Sequence, residues 1–240
     1  GSANLEFWET YNAEEIIPYL VQIDQTLANN GSEEADTAAV DTTSAKKETA
    51  AKAQNSKFEL KGKVAEAAKT SASKVSEEAK KANPLLSMLT TTGANSLSVV
   101  GYANVLDTAA VDKIIYSAMA KKILPSDCKL LWSAKPSDGL SVKNMYELHA
   151  IKVTTTNGRA PLEGDVVTEA TDEFNHMTGA PEVSMRMNTE GARRWAGMTK
   201  ANIGKAIAIV LDGSVYSAPR VNGEITGGSS AITGNFTIED

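Results

Sequence analysis

The sequence predicts an α+β fold of two lobes, with mixed or antiparallel sheets and helices packed on them. Three observations carry this expectation. Residues 5–11 (LEFWETY) alternate like a strand and run straight into a helix-start signal. Residues 209–228 (IVLDGSVYSAPRVNGEITGG) read as a meander of short strands. Between them, strand-like and helix-like segments follow one another in the first lobe, whereas the last third holds one helix among strands joined by turn residues.

In the first strand, Leu5 and Phe7 point to one face, and Glu6 and Trp8 to the other. Asn12 then caps a helix, with Glu15 placed three residues on as in a capping box. Ile16, Ile17, Leu20, Ile23 and Leu27 form its apolar stripe. Pro18 falls late for a first turn, so the helix is expected to start nearer Glu15 or to bend.

From Gly31 to Asn83 the composition shifts to Ala, Ser, Thr, Lys and Glu, and only Val40, Phe58, Leu60, Val64 and Val75 are large and apolar. Such a stretch cannot bury a core of its own. Its first half reads as loop or disorder. In its second half Phe58, Ala65, Ala72 and Ala79 recur every seven residues, as do Lys61, Ala68, Val75 and Ala82. A seam of this kind fits a solvated Ala-rich helix, a close-packed helical partner, or disorder.

Pro84 ends that segment. Residues 97–102 read as a strand, Asp107 as the cap of a helix running to about Leu124, and residues 129–132 and 146–153 as further strands. Pro136-Ser137-Asp138-Gly139 and Asn157-Gly158 mark turns. In the last third, residues 183–187 alternate as a strand, and residues 189–199 form a helix with Ala192, Trp195, Ala196 and Thr199 on one side. Residues 206–211 are a short apolar run suited to a strand covered on both faces. Asp212-Gly213 and Asn222-Gly223 are the pairs that two-residue hairpin turns prefer. Pro219 cannot donate to a ladder and marks an edge or a bulge.

The chain has 240 residues and a formal net charge of -6, with Lys and Glu interspersed, so nucleic acid is not an expected partner. The single cysteine, Cys128, excludes an intrachain disulfide. No run approaches the roughly 18 apolar residues of a membrane span. Gly1-Ser2 reads as a cloning scar, and Thr237 to Asp240 reads as a helix start with no helix after it, which suggests a piece of a longer protein.

A search for chemistry finds little. His149 lies in a strand as a surface or core histidine, and His176 lies in a polar loop. Neither has ligands at metal spacing, and Cys128 reads as a strand-edge residue rather than a nucleophile. In GMTKANIGKA, Gly197 and Gly204 enclose six residues and Ala206 follows Lys205, so the phosphate-loop pattern is not met. No enzyme activity, cofactor or metal is expected.

The last lobe nevertheless carries a dense set of motifs: a strand, the EGA helix from Glu190, NIGK, AIVLDG, VYSAP, ITGG and ITGNF, together with PLEGDVVTEA at residues 161–170. This set resembles the first large periplasmic domain of SecD, or of the fused SecDF protein. The resemblance implies a base subdomain at residues 3–30 and 84–159, a lineage-specific insertion at 31–83, and a head subdomain at 160–240. It further implies a module of the Sec translocase in the bacterial inner membrane that binds the emerging unfolded preprotein and assists export driven by the proton gradient. The partners implied are preprotein, the SecYEG channel, SecF, and the membrane through spans that this sequence does not contain. A free-standing extracytoplasmic binding protein is the alternative. A site for polypeptide without fixed sequence must read backbone or generic apolar groups. Tyr216, Pro219, Arg220 and Val221 are expected to lie at or near such a surface.

Overall fold

A computed structural model describes residues 4–36 and 77–233. They fall into two compact units, one containing residues up to 23 and from 88 onward, the other residues 24–87. The heptad seam through residues 58–75 lies outside the described residues; residues 77–82, at its end, are helical.

The larger unit is built on β1 (Leu5–Thr10), whose two faces are both buried. Phe7 enters one apolar cluster and Trp8 another, each almost fully covered. β1 pairs along one edge with β9 (Ile207–Leu211). It also pairs with β5 (Met145–Lys152) and the short β6 (Leu162–Glu163), every pairing antiparallel. β9 matches the expected doubly covered strand: Ile207 and Ile209 join the Phe7 cluster, and Ala208 and Val210 the Trp8 cluster. β10 (Ser214–Ser217) follows β9 through Asp212 and Gly213, whose φ values of 47° and 84° fit the predicted tight turn. β3 (Val99–Asn104), with β2 (Thr90–Thr91) beyond it, and β4 (Cys128–Trp132) extend the sheet from β5.

A second, three-stranded antiparallel sheet consists of β11 (Ser229–Thr233), β8 (Pro181–Met187) and β7 (Val167–Phe174), in that order. The structure is therefore α+β with antiparallel sheets. β9 and β10 of the last third complete the sheet that begins at β1.

Several expectations are corrected. The first helix, α1 (Ala13–Asp36), starts before Glu15 and continues through Gly31, past the point where loop was expected. Glu15 reaches back to the Asn12 N–H at 2.9 Å, so the capping box fixes the start despite Pro18. The helix predicted from Asp107 to Leu124 is two, α2 (Thr108–Ile115) and α3 (Ala118–Ile123). Ser117 causes the break. It is extended, its hydroxyl donates to the Ile114 carbonyl at 2.6 Å, and it accepts from the Ala120 N–H at 3.2 Å.

Asn222-Gly223 makes no hairpin turn, since neither residue has positive φ. The chain there pairs back instead: the Val221 N–H donates to Lys205 O at 2.8 Å, and the Gly204 N–H donates to Val221 O at 2.7 Å.

In the smaller unit, the buried Asp24 carboxylate accepts from the N–H groups of Leu85 and Leu86, at 2.8 and 3.0 Å. These donors follow Pro84 and have no helix to join, so the carboxylate supplies their partner.

Candidate functional site

The helix α4 (Thr189–Ala201) places Trp195 and Met198 in one apolar cluster with residues of both sheets. Asn188 caps it by accepting from the Gly191 N–H at 2.8 Å. Gly191 of the EGA motif and Gly228 of the GG motif owe their small size to this packing, whereas Gly227 has open space and a φ of 84°. A Cβ on Gly191 would sit 2.7 Å from Val166 Cβ, and one on Gly228 would sit 2.8 Å from Ala192 Cβ. Gly228 also has φ of 70° and accepts the Met187 N–H at 2.7 Å. On the helix's inner face Trp195 is 5% exposed and lies in one cluster with Phe7, Met185, Met187 and Ile209.

At the Met187 end of β8, Trp195 and Met198 fill the space against the sheets. Toward the Pro181 end an apolar cleft of about 220 Å³ opens instead. Its floor is Phe7, Ile209 and Leu211 from one sheet, with Val183, Met185 and Ile232 from the other. Leu5, Ala170, Phe174, Pro181 and Tyr216 complete the apolar wall. Phe174, which is 56% exposed, stands at the start of the β7–β8 loop. Asn175 braces that loop, its Oδ1 accepting the N–H groups of Met177 and Thr178 at 2.9 and 3.0 Å. Beside the cleft, β7 is an edge strand, paired with β8 alone among the described residues.

Of the four residues singled out from the sequence, the structure places Tyr216 in the cleft wall. Pro219 follows it, with its carbonyl accepting the Ile207 N–H at 3.2 Å. Arg220 is exposed and bridges to Ala206, and Val221 is buried in the Phe7 cluster. The segment is thus paired to residues 203–207 rather than left open. β10 is covered in turn, since the Ala134 N–H donates to Val215 O at 2.8 Å.

On the other side of Tyr216 lies a polar recess of about 160 Å³ that includes Ser133, Ser137, Glu147 and His149. His149 is a core histidine, 3% exposed. Its Nε2 is 3.1 Å from Glu147 Oε2, and its Nδ1 is 2.9 Å from Ser98 Oγ. A carboxylate only accepts, so Nε2 carries the proton, and Ser98 donates to Nδ1 when the ring is neutral. The His149 hydrogen bond, helped by one from Ser137, holds the Glu147 carboxyl below its ordinary range against the opposing effect of burial. Ser98 is buried, so this chain of groups is a packing device rather than an open nucleophile. Cys128 is likewise unreactive in its setting: burial, then the charge of Asp127, pushes its thiol up to about 12. His176 sits exposed in the β7–β8 loop.

Fold and cleft together define an α+β module with an apolar cleft between its two sheets. Residues 143–240 match the family described as the SecDF P1 head subdomain. Over 159 residues it is 40% identical to the protein translocase subunit SecD of Rhodothermus marinus, covering 66% of this chain and 24% of that protein. It is 49% identical over 79 residues to SecD of Rhodobacter capsulatus, covering 33% of this chain and 14% of the other. A crystal structure of SecDF in a super-membrane-facing form aligns at 38% identity with a TM-score of 0.31, over 37% of this chain and 12% of that one. The chain spans about a quarter or less of the length of these curated relatives.

Proposed function

We propose that this chain is the part of a protein-export subunit that holds a stretch of unfolded preprotein in the cleft between its two sheets. The carrying observation is the cleft itself: a recess of about 220 Å³ with an apolar floor, bordered by an edge strand. Apolar side chains of any sequence fit such a floor, and an edge strand offers main-chain hydrogen bonds that do not depend on sequence. Tyr216 contacts the bound chain directly. Pro219 and Arg220 lie outside the cleft lining, paired to residues 206 and 207, and Val221 packs in the core beneath.

In the parent subunit the module sits on the periplasmic face of the bacterial inner membrane, beside SecYEG and SecF. The proton gradient acts through membrane spans outside this sequence. Holding is weak, because the chain must be released for export to proceed. The test is binding of a permanently unfolded, reduced polypeptide to the 240-residue chain and to Val183→Asp. Binding that falls in the variant while its circular dichroism is unchanged supports the reading; equal binding contradicts it.

A further inference from the structure

The same cleft has a charge. Asp172, Glu173 and Glu182 line it, Asp172 on the cleft face across from Val183 and the cross-strand pair Glu173–Glu182 on the other face of β7 and β8. Among the described residues no Lys or Arg lines it. Glu182 also accepts from Asn175 Nδ2 at 3.1 Å, which fixes one carboxylate on the loop side. The nearest basic residue along β8, Arg186, lies beyond the cleft lining, with its guanidinium 3.4 Å from Glu169. An apolar floor bordered by three carboxylates, with no basic residue in the described lining, is complementary to one kind of segment: extended, apolar at its centre and basic at its ends.

We infer that the cleft selects apolar segments flanked by Lys or Arg over those flanked by acids. This rests on the reading of the cleft as a polypeptide-binding site and adds its substrate class. Exposed carboxylates attract a flanking cation through water and are screened by salt, so they steer and rank segments while the floor supplies most of the affinity. An acidic flank meets like charge at the rim, and the difference between the two flanks sums several weak exposed contacts.

The experiment uses three fluorescent peptides that share one apolar centre and carry paired Lys, Ser or Glu at their ends, titrated into the whole chain by anisotropy. The Lys-flanked peptide is expected to bind about ten-fold more tightly than the Glu-flanked one, with Ser between them. High salt should narrow that range. The double variant Asp172→Asn, Glu173→Gln, whose residues are exposed, should narrow the ranking, leaving the part due to Glu182. Equal binding of all three peptides overturns the inference and leaves the cleft reading standing. Binding of none overturns both. Blockage that grows with protein concentration, as if a second copy filled the cleft, also overturns it.

Discussion

The rings of Phe7 and Trp195 meet edge to face, with centroids 5.3 Å apart and planes at 62°. One belongs to the first strand and the other to a helix near the far end of the sequence, so this contact ties the chain's beginning to its last third. Trp195 Nε1 also donates to Ser230 Oγ at 2.7 Å, linking the helix to β11. Trp195→Ala should cost about 3–5 kcal/mol, because it removes a large buried ring and leaves a cavity. Urea denaturation checks this; a midpoint close to the parent's would place the ring outside the core.

Gly228 and Ala192 form a second close contact, between the approach to β11 and the helix α4. Gly228→Ala should destabilise by about 1–3 kcal/mol through overpacking, with further strain from its positive φ. Ala192→Gly in the same chain should recover the overpacking part and leave the strain. Gly223, with open space around it and no positive φ, is the control, and Gly223→Ala should change stability by less than about 0.5 kcal/mol. Equal losses at Gly228 and Gly223 would contradict the packing argument.

Much of this was legible in advance because it rests on strong local patterns. The doubly apolar run at residues 206–211, the Asp212-Gly213 turn and the Trp195 helix face each signal their environment through a few neighbouring residues. β7 was not legible. Thr168, Glu169, Thr171, Asp172 and Glu173 are polar on both faces and exposed, so no alternation marks a strand, and pairing with β8 supplies what propensity does not. The split at Ser117 was missed because a side chain competes with the helix ladder there. The cleft was only half legible. Tyr216, expected near a binding surface from its place after a turn, stands in the cleft wall, but Val183, Ile209 and Ile232 come from three separate strands that only the tertiary fold brings together.

Glu147 gives a pH signature. Its folded-state pKa is lowered, first by the His149 hydrogen bond. Its contribution to stability is therefore fully present above the unfolded glutamate value of about 4.3 and is lost as pH falls from there through the lower folded value. Glu147→Gln should be less stable near neutral pH and show a shallower acid limb. Unfolding midpoints across the acid range decide it, and parallel limbs in the two proteins would contradict the assignment.

Cys128 should resist alkylation. With its thiol pushed up to about 12 by burial and Asp127, the thiolate fraction near neutral pH is far below that of a free cysteine. Iodoacetamide should modify the folded chain slowly and the urea-unfolded chain at the ordinary rate. Rapid labelling of the folded chain would mean that the strand end is open.

The central claim is that the cleft holds the exported polypeptide, and site-specific photocrosslinking in the full-length parent subunit tests it most directly. A photoreactive residue is placed at Tyr216, at Phe174 on the cleft rim, or at the exposed Leu106 far along the chain as a control. A preprotein is then stalled during export. The account predicts capture from Tyr216 and Phe174 and none from Leu106. Capture from Leu106 with none from either cleft position would contradict it.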